Sequence, residues 1–331
     1  MVDYASLHKS PNGPGDSRPT ASQVIDNSGV SSAWSDRVIV VTGSSSGIGV
    51  ETVRSLANTG ATIIATARNL PKARKALEGI GQGDEQVKLV EMDHTSLDSV
   101  RKGANEILQL APKINILITN AGIMATPHEK TKDGFESQIG VNHLSHFLLF
   151  SQLRPALAAA SSPSFASRVI ALSSSAHRRA QPDFDNLFFQ KADSYNKWTA
   201  YGASKTANVW FANEIERKYG KSEGIHAWSV HPGVIHTGLQ SFLTPEELDG
   251  FKKDEAMQRA FKTVEQGAAS TVWAATAPEL EGEGGKFIEN CKVIINSYDP
   301  AVPYSEGYVE WTYSPEKEAK LWEVSQKLVG I

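Results

Sequence analysis

The chain has 331 residues, with 33 Lys+Arg against 37 Asp+Glu for a formal net charge of −4, and 40% of its residues are apolar. That composition suits a globular chain with a large buried core, and its slight acidity gives no electrostatic case for nucleic acid or an anionic membrane. The single cysteine, Cys291, excludes an intrachain disulfide, and neither a charged-then-apolar leader nor a long apolar run is present. The expectation is a cytoplasmic protein with no nucleic-acid or membrane partner.

Residues 1–33 contain the turn-rich stretch Ser10–Pro19 without apolar periodicity, so a flexible extension is expected there. Within it, Thr20–Gln23 offers a helix start, and Val24, Ile25, Val30 and Trp34 offer apolar anchors. From residue 34 to 331 no stretch reads as a linker, which predicts one domain. Apolar runs at Val38–Val41, Ala61–Ala67, Val87–Met92, Ile114–Ile118, Arg168–Leu172 and Ile225–Val230 predict strands. Helical patterns at Val50–Asn58, Leu97–Leu110, Phe135–Leu157 and Ala203–Tyr219 separate them. Continuous apolar strands alternating with helices predict an α/β fold, a doubly wound parallel sheet with helices on both faces. Ligands of such sheets bind beyond the carboxyl ends of the strands.

The first strand runs into Thr42-Gly43-Ser44-Ser45-Ser46-Gly47-Ile48-Gly49. Gly43 permits a tight turn, Gly47 a close backbone approach to a pyrophosphate, and Gly49 close helix packing, with the helix N-terminus facing the phosphates. The second strand ends without the carboxylate that would bind a ribose 2′-hydroxyl and has Arg68 instead, which suits a 2′-phosphate, so NADP(H) is expected over NAD(H). The third ends at Asp93-His94, where Asp93 can reach the adenine. The fourth ends at Asn120-Ala121-Gly122, small enough to run beside the cofactor. The fifth ends in Ser173-Ser174-Ser175-Ala176-His177, and Tyr201 and Lys205 follow at i and i+4 on one helix face. A tyrosine near ~10 is a poor base at neutral pH, and a nearby ammonium favours its phenolate.

Together these residues resemble the short-chain dehydrogenase/reductase family over about residues 36–290. Val141–Phe147, Leu172–His177 and His231–Gly238 look like its retinol-dehydrogenase and WW-domain-oxidoreductase branch, here without a WW domain or membrane helix. The resemblance implies a Rossmann-type fold and a catalytic set of Asn142, Ser174, Tyr201 and Lys205. Tyr201 would act as general acid/base, Lys205 would lower its pKa and bind the nicotinamide ribose, and Asn142 would hold a water leading to solvent. Ser174, the best match in register among the three serines, would bind the substrate oxygen. Pro232, Gly233, Val234 and Thr237 would hold the nicotinamide end, and Ser45, Ser46 and Ile48 would complete the phosphate loop. The expected activity is NADP(H)-dependent interconversion of a ketone or aldehyde with its alcohol on a hydrophobic small molecule. The alternatives are a step without net redox (isomerisation, dehydration or epimerisation) and a non-catalytic cofactor sensor.

A substrate lid is expected over about 239–264, with Phe188 and Phe189 adding to an apolar pocket, and a C-terminal extension over about 291–331 that completes the pocket or seals the sheet edge. The insert Arg178–Trp198 reads either as an entrance wall or as cover for a dimer surface. A homodimer through Phe135–Leu157 and Ala203–Tyr219 is a possible assembly. His143 and His146 have metal-compatible spacing but no companion ligands, so no metal is expected. Trp198, Trp210, Trp228 and Trp273 read as core, and Glu281–Lys286 as a solvated turn.

Overall fold

The computed structural model describes residues 2–81 and 85–331. In chain order it begins with α1 (Tyr4–Leu7) and α2 (Ala21–Ser28). There follow β1 (Val38–Thr42), α3 (Gly47–Ala57), β2 (Thr62–Ala67), α4 (Leu70–Ala76), β3 (Val87–Glu91), α5 (Leu97–Leu110) and β4 (Ile116–Thr119). Then come α6 (Ser137–Ile139), α7 (Ser145–Ala160), β5 (Ser167–Leu172), α8 (Lys197–Ile215), α9 (Lys221–Glu223), β6 (Ile225–His231) and β7 (Val234–Ile235). The chain closes with α10 (Pro245–Lys253), α11 (Glu255–Ala260), β8 (Phe261–Lys262), α12 (Val264–Thr276), β9 (Lys286–Glu289), β10 (Lys292–Val293) and α13 (Pro315–Val329).

The main sheet of the described residues has the order β10-β9-β6-β5-β4-β1-β2-β3, parallel throughout except for β10. The order reverses between β1 and β4, which opens a crevice beyond their carboxyl ends. Along β1, alternation sends Ile39 and Val41 into one core and Val40 into the other. Helices α2, α3 and α12 cover the first face, and α5, α7, α8 and α13 cover the second. The architecture is the expected doubly wound α/β sheet.

Residues 1–33 depart from the flexible extension expected. A capping box between Thr20 and Gln23 starts α2, Gly29 ends it in the left-handed region, and Ala21, Val24 and Ile25 are buried against α12 and α3. The turn-rich stretch is pinned by Arg18, whose buried guanidinium pairs with Asp16 (2.8 Å) and donates to the carbonyls of Gly13 and Ala260 (3.0 and 2.8 Å) and of Phe261.

The C-terminal extension begins at the sheet edge, where β10 pairs with β9, and ends in α13, which buries Leu321, Trp322 and Val329 against α7 and α8. In the insert, Phe184, Leu187 and Phe188 pack with Ile139, Ala207, Trp210 and Leu321. The insert and the extension thus pack on α7 and α8, in keeping with the reading of the insert as cover for a dimer surface. Glu281 is more than a solvated turn residue: its carboxylate pairs with the buried Arg168 at 2.9 Å. Trp210, Trp228 and Trp273 are buried as expected. No helix of the described residues is long and apolar enough to cross a membrane.

Candidate active site

Beyond the strand ends lies a cavity of about 2040 Å³. A pocket for one drug-sized ligand measures roughly 300–1,000 Å³, so this one has room for a dinucleotide and a second molecule together. Gly43 and Gly47, at φ +74° and +62°, turn the chain away from β1. A Cβ on Gly43 would lie 2.7 Å from Ala121 Cα, and one on Gly49 would lie 2.4 Å from the Gly43 oxygen, so only glycine lets the loop, α3 and the β4 end meet. The Asn120 amide donates to the Thr42 carbonyl (2.8 Å), and the Ala121 N–H to the Thr42 hydroxyl (2.9 Å). Ser46 precedes α3 without a side-chain cap, and Ser45 through Gly49 line the cavity. Unclaimed N–H groups at a helix start suit a phosphate.

At the end of β2, Arg68 stands exposed on the cavity rim, with Lys72 one turn along α4. Asp93 lines the wall, but its carboxylate already accepts from the Thr95 N–H (3.0 Å), the Thr95 hydroxyl and the Lys132 ammonium. Burial raises the Asp93 carboxyl, and these partners outweigh it, leaving it below the usual carboxylate range. His94 also lines the wall; its Nδ1 meets the Ser145 hydroxyl at 2.7 Å. Burial pushes its imidazole down to about 4.

The reacting centre forms where β5 and α8 meet. Asn196 caps α8 by accepting from the N–H groups of Trp198 and Thr199, and Tyr201 and Lys205 face the cavity one turn apart. The Lys205 ammonium donates to the Leu172 carbonyl at 3.0 Å and lies 5.7 Å from the Tyr201 ring centroid. Burial lifts the Tyr201 phenol to about 12, and a hydrogen bond with Ser174 acts against this. Burial pushes Lys205 down to about 8. The expected lowering of Tyr201 by Lys205 is therefore not what the site shows, because the cost of a phenolate in this dry environment dominates.

The three serines separate by geometry. The Ser173 hydroxyl is buried and donates to the Lys205 carbonyl at 2.9 Å, whereas Ser174 lines the cavity and bonds Tyr201. Asn142 lies fully buried in a π-helical turn (Gly140–Leu144) just behind the wall. Its amide accepts from the Ile123 N–H (2.9 Å) and donates to the Ser204 hydroxyl (2.9 Å). Gly122 separates it from Lys205: a Cβ there would lie 3.1 Å from Asn142 Oδ1 and 3.5 Å from Lys205 Nζ.

Pro232, Gly233, Val234 and Thr237 form the opposite wall, and a Cβ on Gly47 would lie 3.3 Å from the Thr237 methyl. Of the expected site residues, all except Asn142 line this one cavity. His143 and His146 diverge, to the hydroxyls of Ser325 (2.8 Å) and Thr42 (3.0 Å). His177 meets the Ser174 carbonyl at 2.7 Å.

From the lid, Leu239, Phe242, Phe251 and Met257 reach the cavity, but Phe188 and Phe189 do not, because Phe188 packs on Phe135 instead. Trp198, expected in the core, is a wall residue whose indole N–H donates to Glu247 at 3.1 Å. Tyr304 of the C-terminal extension lines the cavity, one of the two roles expected of that segment, and sequence reasoning missed His8, Arg18 and Lys262 in the wall. Their approach depends on contacts far apart in the chain, and no local pattern announces them.

Comparison with known proteins agrees with this geometry. A family profile described as short chain dehydrogenase matches residues 37–186. The chain is 41% identical over 328 residues to the short-chain dehydrogenase/reductase prx1 of Penicillium rubens, covering 99% of this chain and 95% of that protein. It is 32% identical over 307 residues to mouse retinol dehydrogenase 14, covering 89% and 86% of the two chains. Among solved structures, an uncharacterised protein from Mycobacterium paratuberculosis superposes with a TM-score of 0.67 at 30% identity, covering 89% of this chain and 93% of that one.

Proposed function

The chain belongs to the short-chain dehydrogenase/reductase family, in its retinol-dehydrogenase-like branch, and from that premise we propose an NADP(H)-dependent oxidoreductase that interconverts a hydrophobic ketone or aldehyde with its alcohol. The family is one of oxidoreductases using a nicotinamide cofactor. The observation that carries the finer reading is the convergence of the Tyr201 phenol, the Ser174 hydroxyl and the Lys205 ammonium on the cavity whose other end is the glycine turn.

The residues fit such a cofactor. Gly43 and Gly49 leave space that a Cβ would fill, the α3 start offers unclaimed N–H groups, and Arg68 with Lys72 supplies positive charge where a 2′-phosphate would lie. When bound, the nicotinamide supplies or accepts the hydride. The protein holds the substrate oxygen between the Ser174 and Tyr201 hydroxyls. At neutral pH the Tyr201 phenol, raised to about 12, carries the proton that it delivers to this oxygen during reduction. The Lys205 ammonium behind it favours the phenolate left after that transfer. In the oxidising direction the same proton returns to Tyr201. Asn142 fixes the Ile123 and Ser204 segments around Lys205. The apolar lid residues exclude water from the reacting carbon.

The test is binding of NADPH and NADH to the wild type and to Arg68→Glu, with turnover on a panel of hydrophobic carbonyls. Tighter NADPH binding that is lost in Arg68→Glu is expected, and equal affinities would overturn the cofactor preference. Tyr201→Phe should retain cofactor binding and lose turnover; full turnover would overturn the acid/base role. Product formation without net NADPH consumption would move the reading to isomerisation, dehydration or epimerisation.

A further inference from the structure

We propose that Arg179 is a specificity residue, pairing with a carboxylate that the substrate carries away from its reacting carbon. This rests on reading the cavity as the active site. Arg178 and Arg179 follow Ser174 on one tight turn and both line the cavity, but they differ in what they hold. The Arg178 guanidinium pairs with Glu289 at 2.9 Å and donates to the carbonyls of Ser305 (2.9 Å) and Gly307 (3.1 Å). Arg179 is exposed, and among the described residues its guanidinium has neither a hydrogen-bond partner nor an ion pair.

The surroundings of Arg179 place its charged end. Its base is fixed beside the reacting pair: a Cβ on Gly202 would lie 3.2 Å from Arg179 Cβ and 2.7 Å from the Ala176 oxygen. Glycine next to Tyr201 thus lets the turn close onto α8. The side chain then crosses Trp198, with the guanidinium carbon 5.7 Å from the ring centroid. Its charge also acts on the Tyr304 phenol. Trp198 and Tyr304 are wall residues that bond the lid, at Glu247 and Asp254, so the guanidinium stands where lid and wall meet.

The lid carboxylates in that wall are already engaged. Glu247 accepts from Lys197 (2.6 Å), Trp198 (3.1 Å) and the Thr244 N–H (2.9 Å). Asp254 accepts from the Tyr304 hydroxyl (2.5 Å) and the Met257 N–H (2.9 Å). Among the described residues, therefore, no carboxylate neutralises Arg179. A planar guanidinium presents a fork of N–H donors that matches the two oxygens of a carboxylate. Leu239, Phe242 and Phe251 make the same end apolar. The chamber therefore fits an amphipathic acid, a hydrophobic carbonyl or alcohol with a carboxylate at its far end.

The experiment uses the full chain with NADPH and a series of medium-chain ω-carboxy aldehydes, each paired with its methyl ester. Binding is read by quenching of tryptophan fluorescence as well as by turnover, so the result does not depend on catalysis. Wild type should favour the acid over the ester at least about tenfold at the best chain length, and raised salt should reduce that ratio. In Arg179→Leu the ratio should fall to within about twofold, through a rise in the acid's KM rather than a fall in its kcat. Arg179→Lys should keep part of the preference, because an ammonium retains the charge without the fork. Thermal melting identifies variants that have kept the fold, and Arg179→Gln decides the matter should leucine unfold the chain. Equal binding, or none, at every chain length would overturn the proposal. So would a preference for the acid that survives in folded Arg179→Leu or Arg179→Gln. Failure of NADPH to bind would overturn the oxidoreductase reading, while the acid-to-ester binding ratio still decides the role of Arg179.

Discussion

Replacing Arg18 with alanine should destabilise the protein by about 3–5 kcal/mol, the range for removing one partner of a buried ion pair. The side chain is 3% exposed and its Asp16 partner 10%. Its guanidinium donates to Asp16 Oδ1 (2.8 Å) and to the carbonyls of Gly13 (3.0 Å), Ala260 (2.8 Å) and Phe261. Alanine leaves these acceptors without that donor, and each unsatisfied buried group costs about 1–3 kcal/mol. Relaxation of the adjoining turns keeps the total well below the sum. At about 2.1 cal/mol/K per residue, a chain of this length has an unfolding entropy near 0.7 kcal/mol/K, so the melting temperature should fall by about 4–7 °C. Differential scanning calorimetry measures this directly. Arg18→Lys should recover only part of the loss, because an ammonium keeps the charge opposite Asp16 but cannot fork between carbonyls. A fall below about 1 °C for Arg18→Ala, or full recovery by lysine, would refute the view that this guanidinium pins the N-terminal segment.

Gly49→Ala should destabilise by about 1–3 kcal/mol and weaken NADPH binding, measured by titration, because the new Cβ would sit 2.4 Å from the Gly43 oxygen. Ser173→Ala should cost about 1 kcal/mol of stability and leave turnover within a few-fold, whereas Ser174→Ala should keep its melting temperature and lose about 10²–10³ in kcat. The reverse pattern would exchange their roles. Acid should unfold the protein early. Burial lowers His143 to about 3 and His94 and His177 to about 4, and drives His146 and His231 well down. The unfolded chain then binds more protons, so stability is complete above the ordinary histidine value of 6.5 and is lost as pH falls through the window towards 3–4. At pH 5 each of these imidazoles costs about 2 kcal/mol. Glu289, raised to about 7 by burial, opposes this, as do Glu51 and Glu136, which burial also raises. A melting temperature flat between pH 7 and pH 5 would contradict the burial of these rings.

The cofactor end of the site was legible because its chemistry is local. The glycine turn follows a strand of five residues directly, and Tyr201 and Lys205 share a helix face through their spacing alone. The sense of the Tyr201 shift was not legible, since spacing shows the neighbouring charge and not the burial that outweighs it. Strand β9 escaped notice because only Phe287 and Ile288 stand between its charged ends, too short a run to show alternation. The spacing of Leu321, Trp322, Ser325 and Val329 before Gly330 does mark α13 and was readable. For residues 10–19 the reading of turn residues as flexibility failed for another reason: order there comes from Arg18 reaching carbonyls 242 and 243 positions away.

The substrate end is assembled by such distant contacts throughout. Arg18 holds the lid's return at Ala260 and Phe261, Lys197 and Trp198 hold Glu247 at 2.6 and 3.1 Å, and the Tyr304 hydroxyl holds Asp254 at 2.5 Å. These anchors come from the N-terminal segment, from the start of α8 beside the insert, and from the C-terminal extension, and their side chains bond the lid rather than Tyr201 or Lys205. Substitutions at the anchors can therefore change the shape and polarity of the substrate chamber while the reacting groups stay in place. The reacting groups sit on a central strand end and a buried helix, where packing permits little variation.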